Sequence, residues 1–113
     1  MWYKQKAPIL GDFEQLVLLG VLRLKDDAYG AAIRQEINAR SGRDVSINAV
    51  YTTLDRLETK GLLHSWSGEP TPQRGGRRRK FYGLKPAGMA AIRQAYHAFT
   101  SMADGLEERL GTK

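Results

Sequence analysis

The sequence predicts a mostly α-helical chain with one small β-hairpin, and three patterns support this fold class. Apolar residues recur at helical steps in residues 46–63, and a period of two flanks a loop rich in glycine and proline. A final segment carries an apolar repeat at alternating steps of three and four. Residues on one face of a helix recur every three or four positions, and residues on one face of a strand recur every second position. Together the patterns predict a winged helix-turn-helix followed by a long C-terminal helix.

Residues 46–63 contain the most sharply bounded of the predicted helices. Its apolar stripe consists of Ile47, Val50, Leu54 and Leu57. Its opposite face carries short polar side chains and one arginine: Asn48, Thr52, Asp55, Arg56 and Thr59. We expect Ser46 to cap the first turn through its hydroxyl and Gly61 to end the helix in a left-handed conformation. A face of this composition can form hydrogen bonds with base edges, whereas glutamate and lysine are typical of a solvated helix.

Length and composition restrict the class of protein. A chain of 113 residues is expected to form one domain with a modest core. The absence of cysteine excludes disulfides, thiolate nucleophiles and cysteine metal sites. No apolar run approaches the roughly 18 residues that cross a bilayer, and the first residues lack the apolar core of a signal peptide. We therefore expect a soluble, cytoplasmic protein with no membrane partner.

The net charge of +6 is concentrated in one segment. Residues 61–85 carry six basic side chains against one acidic side chain, whereas residues 1–60 carry nine against eight and residues 86–113 three against three. The six are Arg74, Arg77, Arg78, Arg79, Lys80 and Lys85. Such a concentration indicates a polyanionic partner, because neutralised phosphates release condensed counterions. A solvated loop and a membrane-surface patch are the alternatives.

The first helix is predicted from an apolar run with a capping signal. Residues 12–15 (DFEQ) have the capping-box spacing with Asp12 at the cap, and the helix is expected to continue to about Lys25. Residues 1–11 are too apolar for a free tail, so we expect them to dock partly on the body or on a second subunit. Their apolar members are Trp2, Tyr3, Ile9 and Leu10.

The second helix is predicted over residues 29–40, and Gly42 is expected to close it. Asp26 and Asp27 precede it. Adjacent carboxylates in a turn more often cap a helix than catalyse a reaction, so we expect these two to cap the second helix. Residues 43–45 leave room for only a very short strand before the third helix.

A β-hairpin is predicted after the third helix. Residues 62–67 alternate in polarity, residues 80–84 are rich in aromatic side chains, and the loop GEPTPQRGGRRR lies between them. A helix-turn-helix followed by a hairpin is a winged helix, with residues 70–80 as its wing. Two glycines allow the tip to approach a sugar-phosphate backbone, and the narrow minor groove attracts arginine. The pleat of the strand should direct Arg79 and Lys80 to opposite sides.

Four stretches of the chain carry a family resemblance. They are GDFEQLVLLGVL in the first helix, the pair Tyr29-Gly30, VSINAVYTTLDRLETKGLL, and the basic hairpin leading into KFYGLKPAG. Over about residues 9–92 the chain resembles the PadR-like winged-helix transcriptional regulators. The resemblance implies a homodimeric repressor with recognition helix 47–60 in the major groove and the wing on the backbone or minor groove.

Carried over by position, this resemblance also implies a set of DNA contacts. The recognition helix would contribute Ser46, Asn48, Tyr51, Thr52 and Arg56, and the wing would contribute Arg74, Arg77, Arg78, Arg79 and Lys80. The pair Asn48-Ala49 departs from the family pattern, in which a small residue or glycine often stands at the first position.

The C-terminal segment predicts a dimerisation helix of about 25 residues, residues 86–110, within a C-terminal unit of residues 85–113 that follows the DNA-binding part at residues 1–84. Its apolar positions are Met89, Ile92, Tyr96, Phe99, Ala103, Leu106 and Leu110. Their spacing is an unbroken a/d repeat, and a helix about 37 Å long exceeds what so small a body can cover. We expect a homodimer, whose twofold symmetry suits an inverted repeat in double-stranded DNA. A helix folded back on its own domain is the alternative.

Catalysis and cofactor binding are not expected. His64 and His97 lie far apart in the chain, without the carboxylate or cysteine partners of a metal site or a triad, and no phosphate-binding glycine motif occurs. Two other interpretations stay open beside simple DNA binding. One is release of DNA by a small aromatic or apolar effector, bound between subunits among Trp2, Tyr96 and Phe99. The other is a winged-helix module that binds protein or RNA.

Overall fold

The computed structural model describes residues 7–69 and 79–112 of the chain. Within these residues the elements are α1 (Asp12–Leu24), α2 (Gly30–Ser41), α3 (Ile47–Thr59), β1 (Leu63–Ser67), β2 (Lys80–Leu84), α4 (Pro86–Ala103) and α5 (Glu107–Leu110). A single 3₁₀ turn, Lys25–Asp27, joins α1 to α2. The predicted fold class, mostly helical with one hairpin, is confirmed.

One core is shared by the first four helices and the hairpin. Its fully buried side chains come from every one of these elements: Val17 and Leu18 of α1, Ile33 of α2, Val50, Leu54 and Leu57 of α3, Leu63 of β1, Tyr82 of β2, and Ala91 of α4. The apolar stripe predicted for the third helix is therefore the side on which α3 packs. Because α1 contributes to the centre of this core, it supports the helix-turn-helix formed by α2 and α3.

Local signals in the sequence determine where α2 and α3 begin and end. The hydroxyl of Ser46 accepts a hydrogen bond of 3.1 Å from the amide of Ala49, as expected of an N-cap. Gly61, at a φ of +80°, follows α3, and the amide of Leu62 then donates to the carbonyl of Leu57 at 2.9 Å. Gly42, at a φ of +76°, ends α2. All three predictions are confirmed.

The hairpin pairs with Tyr29, the residue before α2, and not with residues 43–45 before α3. Its antiparallel register places Trp66 opposite Phe81, and Tyr29 forms an isolated bridge to Phe81 on the other side. Residues 43–45 form no strand, so the short strand considered there is absent. Side chains of α2 bind the backbone here instead. The Val45 carbonyl accepts a hydrogen bond from Arg34 Nε, and the Val45 amide donates one to Asn38 Oδ1, each at 2.8 Å.

The capping predictions for the two acidic sites are wrong. The N-cap of α1 is Gly11, one residue before Asp12, and the Gly11 amide donates to Glu14 Oε1 at 2.8 Å. Half of a capping box is therefore formed by the glutamate of the predicted motif. Asp26 and Asp27 are exposed in the 3₁₀ turn, and Tyr29 is the N-cap of α2 with no side-chain cap.

The C-terminal helix is shorter than the apolar repeat predicts. α4 ends at Ala103 because Asp104 adopts an extended conformation and Gly105 a left-handed one, at a φ of +83°. The chain resumes as the single turn of α5. The 18 residues of α4 span about 27 Å. The predicted continuous helix of about 37 Å is thus corrected, since a repeat of apolar residues can continue through a break in the backbone.

Candidate nucleic-acid interface

The polar face of α3 is open to solvent along its whole length. Asn48, Thr52 and Arg56 are exposed, and so are Ser46 at the N-cap and Thr59 at the C-terminal end. No other part of the described chain covers these side chains. Thr53 is the exception among the polar residues, because it points into the core and is 4% exposed. The predicted contacts of the third helix therefore lie together on one accessible surface.

Tyr51 joins this surface to the start of α2. Its side chain is 44% exposed, and its ring lies over Gly30, the first residue of α2. A Cβ atom on Gly30 would come within 2.4 Å of Tyr51 Cε1, which is far inside van der Waals contact. The ring can keep this position only while residue 30 is a glycine. This contact explains the glycine of the Tyr29-Gly30 pair.

A partly buried ion pair joins the C-terminal end of α3 to α1. Lys60 Nζ donates to Glu14 Oε2 at 2.8 Å, and the Glu14 side chain is almost buried. Burial raises the pKa of Glu14, but the hydrogen bonds from Lys60 and the Gly11 amide, together with the charges of Lys60 and Arg56, outweigh it. The pKa therefore lies below its ordinary value of 4.5. This pair was not predicted, because no local pattern connects the two residues.

The two described cations of the wing point in different directions, as the strand pleat predicts. Arg79 places Cζ 3.9 Å from the centroid of the Tyr29 ring. Lys80 places Nζ 3.7 Å from Glu58 Oε1 and 5.5 Å from the Tyr82 ring, on the side of α3. The other predicted wing contacts, Arg74, Arg77 and Arg78, lie outside the described residues.

Aromatic rings form a stack on the face of the hairpin that carries Arg79. The His64 and Trp66 rings are stacked at 5.4 Å between centroids, Trp66 and Phe81 at 5.9 Å, and Phe81 meets Tyr29 edge to face at 5.8 Å. The period of two in β1 indicated that His64 and Trp66 share a face, but nothing local predicted the connection to Tyr29. His64 thus has a structural environment, and His97 lies exposed on α4.

A comparison with known proteins identifies the family. The sequence profile described as the transcriptional regulator PadR-like family matches residues 18–94. This chain belongs to the PadR-like family. The match includes the whole helix-turn-helix, the hairpin and the first half of α4, so the resemblance predicted from the sequence is confirmed. The protein is a PadR-like transcriptional regulator, and the family is one of regulators and not of enzymes.

Individual relatives agree with this assignment. Over 80 residues the chain is 39% identical to transcriptional regulator Rv3488 of Mycobacterium tuberculosis, a match to 69% of this chain and 68% of that protein. A crystal structure of a PadR family transcriptional regulator from Eggerthella lenta is 29% identical with a TM-score of 0.65, covering 88% of this chain and 84% of that one. A PadR family transcription regulator from Clostridium difficile, at 24% identity and a TM-score of 0.68, shares the fold over 87% of this chain and 98% of that one.

The apolar repeat of this PadR-like chain divides into two parts. Ile92 is 5% exposed and the half-buried Met89 packs against the same core, so both belong to the core of the chain itself. The distal members are exposed: Tyr96, Phe99, Leu106 and Leu110, with Ala103 half-buried and Met102 beside them. Of the predicted dimer residues, only those from Tyr96 onward form an exposed apolar row. No other element of the described chain covers this row.

An apolar groove runs beside this exposed row. It has a volume of about 560 Å³ and is lined mainly by Ile9, Leu10, Phe99 and Met102, with Gln15 and Gln94 as polar members. The predicted docking of the N-terminal segment holds for part of it: Leu10 is buried, and the Ala7 amide donates to Gln94 Oε1 at 3.2 Å, whereas Ile9 is exposed. Trp2 and Tyr3 lie outside the described residues.

Among residues 7–69 and 79–112, no three histidine, aspartate or glutamate side chains come together as metal ligands would. No helix in the described part of the chain combines the length and the apolar character that a membrane span requires.

Proposed function

We propose that this PadR-like regulator binds double-stranded DNA sequence-specifically as a homodimeric repressor. In this proposal α3 enters the major groove and the wing, residues 70–80, lies on the backbone or in the minor groove. Residues 1–84 are the DNA-binding part and residues 85–113 the dimerisation part.

One observation carries the proposal: the exposed face of α3 and the base of the hairpin adjoin across the start of α2. The Tyr51 ring of α3 lies over Gly30. The ring of the preceding residue, Tyr29, lies 3.9 Å from Cζ of Arg79. A helix that reads bases and a cation that neutralises phosphate must lie on the same side of the protein, because both contact one duplex. The short path from Tyr51 to Arg79 meets this requirement.

The side chains of α3 have the donors and acceptors that such a role needs. Arg56 can donate two hydrogen bonds to the O6 and N7 atoms of guanine, and Asn48 can bond adenine in a similar way. Thr52 offers a hydroxyl to either base type and a methyl group to thymine. Ser46 and Tyr51, at the edge of the same face, suit phosphate oxygens.

The exposed distal row of α4 and α5 supports the homodimer. Phe99 is 71% exposed and Tyr96 69%, and large apolar side chains grouped in this way mark an interaction surface. A second copy of the chain offers the same row, so the two can pack about a twofold axis. Such a dimer would present two copies of α3 to half-sites of an inverted repeat about 34 Å apart.

The proposal includes the release of DNA when a small effector binds. The groove of about 560 Å³ has the volume and the apolar lining of a small-molecule site. It borders the proposed dimer surface, so an aromatic or apolar ligand there could change the relation between subunits and hence the spacing of the two α3 helices.

Selection from a pool of random duplexes, followed by binding measurements at several salt concentrations, tests the proposal. We expect an enriched inverted repeat, with affinity that falls steeply as salt rises, by a slope of about 0.9 per phosphate contacted. A sequence without inverted symmetry would contradict the homodimer. A selection without enrichment, or tighter binding to RNA than to DNA, would favour the alternative module that binds RNA or protein.

Point variants of α3 test which residues read the sequence. Thr52→Ala and Arg56→Ala are each expected to change the preferred base at one position of the half-site, at a cost of about 1 to 3 kcal/mol per lost contact. Thr59→Ala is the matched control, since Thr59 is on the same face but at the C-terminal end, away from the base-reading end of such helices. Selection with each variant gives the measurement. Unchanged preferences for both variants would place the base contacts elsewhere.

A further inference from the structure

We propose that Tyr29 is a positioning residue for DNA binding, whose ring holds the guanidinium of Arg79 in place for a phosphate of the duplex backbone. The inference rests on the proposed DNA-binding function and adds to it a residue that makes no contact with bases. Arg79 would bind a phosphate oxygen, because it lies at the base of the wing and not on the base-reading face of α3.

The contact between the two side chains leaves the donors of Arg79 available. Its Cζ atom lies 3.9 Å from the centre of the Tyr29 ring, within the range of a cation–π contact. The planar face of the guanidinium is used in such a contact, while its N–H groups point outward in the plane. Arg79 forms no ion pair with any carboxylate of residues 7–69 and 79–112. Its five donors can therefore serve an external anion.

The Tyr29 ring is itself held from several directions. It meets Phe81 edge to face at 5.8 Å, and Phe81 stacks on Trp66. The backbone of Tyr29 bridges to Phe81, and the amide of Tyr82 donates to the carbonyl of Ala28 at 2.8 Å. The ring is thus fixed to the sheet as well as to α2.

The backbone of Arg79 is also held, by a hydrogen bond across the hairpin. Its carbonyl accepts a hydrogen bond of 2.7 Å from the Gly68 amide across the hairpin. A Cβ atom on Gly68 would come within 2.5 Å of Phe81 Cε1, so the Phe81 ring lies directly against the backbone of Gly68. Both ends of the arginine are therefore held before DNA arrives.

Holding the guanidinium in advance should strengthen binding without adding a charge. A free arginine loses rotamer freedom when it binds a phosphate, whereas a stacked arginine has already lost much of it. Removing the ring should therefore weaken binding while leaving the number of neutralised phosphates unchanged. Removing the charge should lower both the affinity and the number of neutralised phosphates.

The test compares Tyr29→Leu, Tyr29→Phe, Arg79→Lys and Arg79→Gln on the selected duplex and on a scrambled duplex of the same length, across a range of salt. We expect Tyr29→Phe to bind as the wild type does, because phenylalanine keeps the ring face. Tyr29→Leu should bind about two- to fivefold more weakly on both duplexes with an unchanged salt slope. Arg79→Gln should reduce the slope by about 0.9 per protomer.

A double-mutant cycle separates positioning from a general loss of stability. The variant combining Tyr29→Leu with Arg79→Gln should bind no more weakly than Arg79→Gln alone, since the ring then has no cation to hold. Arg79→Lys keeps the charge and the packing of Tyr29 on Phe81 but loses the flat guanidinium. It should therefore reproduce the weaker binding of Tyr29→Leu, with an unchanged slope and an unchanged melting temperature.

Three results would overturn the inference while the proposed function stands. They are wild-type affinity in Tyr29→Leu together with weaker binding in Arg79→Gln, equal losses in Tyr29→Phe and Tyr29→Leu, and additive losses in the double variant. If instead the wild-type protein binds neither duplex in a salt-dependent way, the proposed function itself fails.

Discussion

Replacing Gly88 by alanine is expected to destabilise the protein even though alanine is the better helix former. Gly88 lies in the first turn of α4, where this helix passes close to Leu62 in the turn between α3 and β1. A Cβ atom at this position would come within 2.1 Å of the carbonyl oxygen of Leu62. The same oxygen accepts a hydrogen bond of 3.0 Å from the Lys85 amide. The added methyl group therefore meets backbone, which cannot rotate away.

The opposing contributions can be compared in magnitude. Alanine should gain about 1 kcal/mol from helix propensity. Separating α4 from the turn that contains Leu62 should cost about 1 to 3 kcal/mol as overpacking, and the strained hydrogen bond of Lys85 about 1 kcal/mol more. We expect a net loss of about 2 kcal/mol in the free energy of unfolding, or roughly 8 °C in melting temperature for a chain of this size.

Urea unfolding at one fixed protein concentration measures this change, because association of subunits would otherwise add to the apparent stability. The matched control is Ala90→Gly, the reverse substitution at an exposed position of α4, which should cost about 1 kcal/mol from propensity alone. If Gly88→Ala proves neutral or stabilising, the close approach of α4 to Leu62 does not limit this position.

Three further changes probe the proposed DNA interface, the ion pair between Lys60 and Glu14, and the proposed dimer surface. Gly30→Ala should leave the melting temperature within a few degrees, because the half-exposed Tyr51 ring can move aside, but lower DNA affinity about fivefold, measured by fluorescence anisotropy. Glu14→Gln should cost about 1 kcal/mol at neutral pH, a modest value because Lys60 is partly exposed. The pKa of Glu14 is lowered in the folded state, so its contribution is present above pH 4.5 and lost as the pH falls through the folded value. Urea unfolding of wild type and variant should accordingly converge in acid. Phe99→Asp should convert the proposed dimer to a monomer, measured by sedimentation equilibrium, because a carboxylate replaces an apolar anchor.

Two of these changes have matched controls, and two have a stated contrary outcome. Ser101→Asp adds the same charge outside the apolar repeat and should leave the dimer intact. Glu107→Gln removes a carboxylate from the exposed turn of α5 and should show no such convergence in acid. Wild-type DNA affinity in Gly30→Ala would remove Tyr51 from the interface, and a dimeric Phe99→Asp protein would remove the distal row from the subunit contact.

The accuracy of the sequence predictions follows the distance over which each interaction acts. The Ser46 cap and the glycines after α2 and α3 were predicted correctly, because each effect operates within one turn of the chain. The Asp12 cap was wrong by one residue, since Glu14 selects between two neighbouring registers through its contacts with Gly11 and with Lys60 of a distant element. Asp104-Gly105 was a local turn signal that the apolar repeat concealed.

The sequence by itself determined where the first three helices and the hairpin lie, which face of α3 is polar, and that positive charge accumulates in the hairpin. These properties depend on neighbouring residues and on composition. Only the tertiary structure decided that Met89 and Ile92 belong to the core of one chain, because a periodic stripe does not reveal what packs against it. It also decided that Tyr51, Gly30, Tyr29 and Arg79 adjoin, since contacts between distant segments arise when the hairpin and α3 both pack against the start of α2.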